Sequence, residues 1–170
     1  MVEEKFKIVI FGAFGAGKST LIQTLDPQAK HIEADCPVKG STTIALDYGR
    51  VQLGERRVYL YGTPGQERFE FARKIIGTGM DGAVLLVDAT AEVDEFICAM
   101  FSSLVGSGIP FVVMLNKTDH PDGTKTKGLQ QQFGAVPVWL VSAKDRRQAQ
   151  IALTTFIDTL PPHVSREKKN

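Results

Sequence analysis

Phe6-Lys7-Ile8-Val9-Ile10-Phe11 is a short apolar run that breaks into Gly12-Ala13-Phe14-Gly15-Ala16-Gly17 and restarts as a helical pattern at Lys18-Ser19-Thr20. Strand, glycine-rich turn and helix in that order leave the rest of the chain few choices. The spacing fits G-x-x-x-x-G-K-[ST], in which successive backbone N–H groups wrap a nucleotide β-phosphate and a helix dipole stands behind them. Gly12, Ala13, Phe14, Gly15, Ala16, Gly17, Lys18, Ser19 and Thr20 are therefore the predicted phosphate cradle. Lys18 is expected to reach the β and γ oxygens, and the Ser19 hydroxyl to sit on Mg²⁺, a hard cation that prefers oxygen. A glycine-rich turn with no ligand is the plain alternative, but the strand-loop-helix setting is the one that phosphate binding requires.

With 170 residues and 43% hydrophobic composition the chain can bury one core and is too short for two ordinary domains. One domain over 1–162 is expected, followed by a charged tail at 163–170 that frays. Lys and Arg number 20 against 19 Asp and Glu, and this balance offers no electrostatic reason to bind nucleic acid or an anionic membrane. Cys36 and Cys98 have no histidines at metal-ligand spacing and make no disulfide framework, which points to a reducing cytoplasm. Acidic Met1-Val2-Glu3-Glu4 does not resemble a signal peptide, and Val2 and the cysteine-free tail carry no lipidation signal. A cytoplasmic chain without a direct membrane anchor is the expectation.

Leu21, Ile22 and Leu25 extend the first helix until Asp26-Pro27 closes it. Over 28–40 no period holds, which predicts a functional or poorly ordered loop. Residues 43–53 and 56–61 read as strands joined by a tight turn at Gly54-Glu55, an antiparallel hairpin. Gly62-Thr63-Pro64-Gly65-Gln66-Glu67 precedes a helical segment through Ile76, ended by Gly77 and Gly79. The runs 83–87, 111–115 and 138–141 are apolar without alternation, as strands covered on both faces must be. Val93, Phe96, Ile97, Met100, Phe101 and Leu104 mark one helix between them. Ala149, Ala152, Leu153, Phe156, Ile157 and Leu160 mark the last, stopped by Pro161-Pro162. This alternation predicts a mostly parallel α/β sheet with helices on both faces and a ligand beyond the carboxyl ends of its strands.

Asn116-Lys117-Thr118-Asp119 follows the 111–115 strand at such an end. A carboxylate there accepts two hydrogen bonds from guanine N1–H and the 2-amino group, which adenine cannot offer, so Asp119 is the candidate base reader. Lys117 lays its stem over a base, and Asn116 ties this loop to the phosphate loop. Ser142-Ala143-Lys144 follows the last strand and supplies backbone N–H groups for the guanine O6. In this order and spacing the three elements resemble the Ras-like small GTPases over nearly the whole chain. The resemblance implies a P-loop GTPase G domain with six strands, one of them antiparallel.

It also implies a threonine that closes over the γ-phosphate and Mg²⁺. Ser41-Thr42-Thr43-Ile44 is the matching stretch, with Thr43 preferred and Thr42 open. Gly62-Thr63-Pro64-Gly65-Gln66-Glu67 is similar to the family's D-x-x-G-Q-E segment, so the Gly65 N–H would meet the γ-phosphate and Gln66 would orient the attacking water. The family's aspartate is missing at Gly62. Asp47 is the candidate replacement at the metal, with an ordinary edge-strand acid as its alternative. The threonine-rich stretch leading to Asp47, together with Gly62, resembles a prokaryotic branch that includes bacterial polarity-switch GTPases.

The resemblance further implies a switch that binds GTP or GDP with Mg²⁺, hydrolyses GTP slowly with Lys18 and Gln66, and signals through loops near 36–48 and 62–79. No residue just before Thr43 is an arginine finger, and Arg68 is an internal alternative, so a GTPase-activating protein is expected beside a protein effector. A GTP-bound scaffold with little hydrolysis is the rival reading. Phe14 would pack over the nucleotide or against a partner, and His31, His120 and His163 have no catalytic spacing.

Overall fold

The computed structural model describes residues 3–36, 42–67, 70–119 and 126–162. Among these, one sheet carries seven strands in the order β2-β3-β4-β1-β5-β6-β7: β1 Glu4–Phe11, β2 Lys30–Cys36, β3 Thr42–Leu53, β4 Arg56–Gly62, β5 Gly82–Asp88, β6 Phe111–Asn116 and β7 Val138–Leu140. The helices are α1 Lys18–Leu25, α2 Glu70–Gly77, α3 Glu95–Ser107, α4 Thr126–Gln131 and α5 Arg146–Thr159. β1 pairs in parallel with both β4 and β5, β5 with β6, and β6 with β7. β3 runs antiparallel to β2 and β4 and is the strand that opposes all the others.

The expected α/β architecture stands, with one strand more than the six expected. The stretch 28–40, read as a loop, forms β2 over Lys30–Cys36, each residue paired with β3 from Lys30↔Tyr48 to Cys36↔Thr42. Backbone bonding to a long neighbour decides this strand; its side-chain pattern is irregular because it lies at the sheet edge. Residues 37–41 and 68–69, which include parts of both expected switch loops and Arg68, lie outside the described residues, as do His120 and the tail at 163–170.

Two of the three apolar runs are explained by two cores. The third, 138–141, was expected to be covered on both faces, but β7 ends the sheet and Leu140 is 50% exposed because, among the described residues, no further strand or helix covers it there. Val84 and Leu86 of β5 join Ile8, Ile10, Leu21, Ile22, Leu153, Phe156 and Ile157 beneath α1 and α5. Ala83, Leu85 and Val87 of the same strand turn the other way, onto Ile97, Met100, Leu104, Leu129 and Phe133. Each such fully buried Leu, Ile or Phe contributes about 1.5–3 kcal/mol. The strand neighbouring both β4 and β5 is β1, so its carboxyl end opens where the chain's winding reverses, which is where such sheets bind ligands.

Candidate functional site

Gly17 has φ 102° as the N-cap of α1, a left-handed conformation that penalises any side chain. A Cβ there would also come within 2.3 Å of Asn116 Nδ2. The turn is thereby drawn tight, and Lys18 is only 8% exposed. Its Nζ donates to Gly12 O at 2.7 Å and to Ala13 O at 2.9 Å. Burial pulls the ammonium down to about 8, with the nearby Asp47 charge opposing and Arg73 assisting. The Phe14 amide donates to Gly65 O at 3.1 Å, and a Cβ on Gly65 would lie 2.8 Å from Lys18 Nζ. Gly65 therefore lies flat against the phosphate loop, while the Phe14 side chain is 82% exposed.

The 116–119 and 142–144 segments meet this loop through one buried amide. Asn116 Nδ2 donates to Ala16 O at 2.8 Å, and its Oδ1 accepts from the Ala143 amide at 2.8 Å. Lys117, held at φ 66°, donates from Nζ to Gly15 O at 2.9 Å and to Asp88 Oδ2 at 2.7 Å. Partial burial raises the Asp88 carboxyl, but hydrogen bonds from Lys117 and Thr90 outweigh it and leave the group below its ordinary pKa. Thr118 Oγ1 donates to Val141 O at 3.2 Å, and Asp119 and Lys144 are exposed. Ser142 and Ala143 were expected to offer amides to a base oxygen. Instead the Ser142 amide donates to Gln148 Oε1 at 3.0 Å and the Ala143 amide to Asn116, because buried N–H groups take the nearest acceptor.

On the opposite flank, Asp47 of β3 stands directly across from Gly62 of β4. Its Oδ2 accepts from Ser19 Oγ at 2.5 Å and its Oδ1 lies 3.0 Å from His31 Nδ1, brought alongside by the β2–β3 register. The Asp47 hydrogen bond is the main cause of a raised His31 pKa. A Cβ at position 62 would come 3.3 Å from Asp47 Cβ and 2.9 Å from Ile22 Cδ1, so glycine there makes room for the acid across the ladder. Thr43 pairs with Asp35 in β3, and its side chain, like that of Thr42, lies outside what is described. Gln66 is exposed, and Arg73 of α2 reaches back to its carbonyl.

Residues 3–162 match the elongation factor Tu GTP binding domain. The chain belongs to that family. An uncharacterized protein of Methanocaldococcus jannaschii is 33% identical over 72% of this chain and 76% of its own length. The mutual gliding-motility protein MglA of Myxococcus xanthus is 27% identical over 74% of this chain and 73% of its own. Translation elongation factor SelB from Methanococcus maripaludis, solved with the GTP analogue GppNHp, superposes over 95% of this chain with a TM-score of 0.74 at 18% identity. That likeness is one of fold, and this chain spans 35% of SelB. The likeness to MglA is modest and lies in the branch that the threonine-rich stretch suggested.

As a member of this GTPase family the chain is a guanine-nucleotide-binding G domain with GTP hydrolase chemistry. No helix among the described residues is long and apolar enough to cross a membrane. Reasoning from sequence missed three residues that contact the candidate site: Asp88 on Lys117, His31 on Asp47 and Arg73 on the Gln66 carbonyl. Asp88 had a signal, being the acid that ends an apolar strand at the ligand side of the sheet. Neither the edge-strand His31 nor the helical Arg73 had one, since each acquires its partners only through folding.

Proposed function

We propose that the G domain is a GTP-operated switch that hydrolyses GTP slowly and reports its nucleotide state to protein partners through segments 36–48 and 62–79. The observation that carries this reading is the Asn116 amide, which couples the phosphate loop to both base-side segments in one buried unit. Asp119 would select guanine by accepting from N1–H and the 2-amino group, and Lys117 would flank the ring. Thr20 and the amides of 12–19 would hold the phosphates with Lys18, and the Gly65 N–H would meet the γ-phosphate.

The donor set near Ser19 suits Mg²⁺. A hydroxyl and a carboxylate converge, all ligating atoms are hard oxygens, and among the described residues there is no cluster of three His, Cys, Asp or Glu that would favour a protein-enclosed metal. Ser19 and Thr43 would hold the ion directly and Asp47 would support it, with His31 bracing Asp47. When bound, Mg²⁺ supplies neutralisation of the phosphate oxygens. Lys18 stabilises charge on the leaving oxygens, and Gln66 aims the attacking water. An activating protein would add an arginine worth about 10³–10⁵ in rate. The switch would act in the cytoplasm, in a signalling role, and the likeness to a gliding-motility protein is compatible with the latter.

Titration with GTP, ATP and xanthosine triphosphate tests base choice: Asp119→Asn is expected to shift preference toward xanthine, and an unchanged GTP preference refutes the assignment. Single-turnover hydrolysis with and without Mg²⁺ tests the enzyme, and equal rates in Gln66→Leu and the parent would favour a scaffold that hardly hydrolyses.

A further inference from the structure

Arg73 is 7% exposed on the first turns of α2, yet the rest of its helix presents mostly accessible side chains to solvent. Its Nη1 donates to Gln66 O at 2.7 Å and to Pro64 O at 3.2 Å, and its Nη2 donates to Glu67 O at 3.2 Å. The guanidinium carbon stands 5.0 Å over the ring of Phe96 on α3. The carbonyls of Pro64, Gln66 and Glu67 thus converge on one planar cation that is stacked on a neighbouring helix. Burial disfavours this charge, with Glu70 and Glu67 offsetting part of the penalty. A buried cation is retained at such a cost where its donors are used, and only arginine offers several donors in a rigid fork.

We infer that Arg73 is a positioning residue for hydrolysis: by gripping the carbonyls of Pro64, Gln66 and Glu67 against Phe96, it sets the peptide planes from which the Gln66 side chain addresses the water. The inference rests on the role given to Gln66 above. It identifies α3 as the rigid surface on which the hydrolytic segment is mounted, through a contact that no nucleotide-binding motif encodes. A lysine at position 73 keeps the charge but cannot span three carbonyls and stack on a ring at once.

The test compares Arg73→Lys, Phe96→Leu and the parent in nucleotide affinity, single-turnover GTP hydrolysis and amide exchange. Misplacing a reacting group by 1 Å costs roughly 10²-fold. Arg73→Lys is expected to slow hydrolysis about 10- to 100-fold while the Kd for GDP moves less than about three-fold, and Phe96→Leu, which keeps the arginine, to fall between. Adding Arg73→Lys to Gln66→Leu is expected to cause no further loss, since both act through one group. Parent-like hydrolysis in folded, GDP-binding Arg73→Lys overturns the inference, as does an equal fold-loss in both backgrounds. If the parent itself does not hydrolyse GTP, the role of Gln66 fails. Amide exchange over 65–67 then still decides the grip: faster exchange in Arg73→Lys with β1 unchanged supports it, and unchanged exchange refutes it.

Discussion

Beside the 116–119 segment Asn116 is 3% exposed and both ends of its amide bond to backbone, whereas beside Ser19 Asp47, with its side chain 14% exposed, is held by the side chains of Ser19 and His31. Backbone groups are fixed in space by the sheet and the loop, so only a side chain of one length and polarity, issuing from one position, can bridge them. Side-chain partners are less exacting. An acid on either of two facing strands could reach Ser19, provided that the other strand gives way. Asp47 and Gly62 are such a pair, opposed in the ladder, with the missing side chain of one leaving space for the other.

The sharpest way to break this contrast is Asn116→Ala. It strands Ala16 O and the Ala143 amide, and at about 1–3 kcal/mol per buried unpaired group the loss is roughly 2–6 kcal/mol. Urea denaturation of the nucleotide-free protein would register it, and a loss under 1 kcal/mol would mean that water replaces the amide. Next in size, Gly62→Asp forces a side chain onto Ile22 and Asp47 and is expected to cost about 1–3 kcal/mol. Combining it with Asp47→Gly should restore part of the stability and all of the metal dependence if the two positions are interchangeable. Failure of that rescue would tie the site to β3 alone.

Asp47→Ala is expected to leave folding within about 1 kcal/mol while raising the Mg²⁺ concentration for half-maximal GTP binding about ten-fold, the lower end for loss of a supporting ligand. A magnesium titration followed by a fluorescent nucleotide reads this directly. An unchanged midpoint would return Asp47 to the status of a surface acid.

The smallest effect concerns pH. Lys18 in the free protein is pulled down to about 8 by burial, so its charged form is penalised below that pH and the penalty lifts as pH rises toward the ordinary value of 10.5. The free protein gains stability across that window from this group, whereas phosphate binding, which needs the proton, weakens. Between pH 7.5 and 8.5 the protonated fraction of a group with pKa about 8 falls about three-fold, and GTP affinity should follow it. Lys18→Arg, which does not titrate there, should flatten the profile.

Much of the fold was legible because its signals are local. Apolar runs at 83–87 and 111–115 are unbroken because their residues alternate between two cores, and the helices announced themselves by stripes and stops. β2 was not legible, since an edge strand bonded to a long neighbour needs no pattern of its own. In the site, the phosphate loop and the 116–119 segment could be named from spacing because each is a continuous stretch. The inward engagement of the Ser142 and Ala143 amides could not, as it depends on where Gln148 and Asn116 arrive.

By itself the sequence determined the strand-loop-helix at Gly12 to Ser19, the turn at Asn116 to Asp119 that follows a buried strand, and the α/β layering, all of which follow from neighbours within a few residues. Tertiary structure alone decided that Asp47 faces Gly62 and meets Ser19 and His31, that Lys117 pairs with Asp88, and that Arg73 grips the Gln66 segment over Phe96. The physical reason is distance along the chain. Groups tens of residues apart acquire charges, acceptors and rings as partners only when strand register and helix packing bring them within a few ångströms.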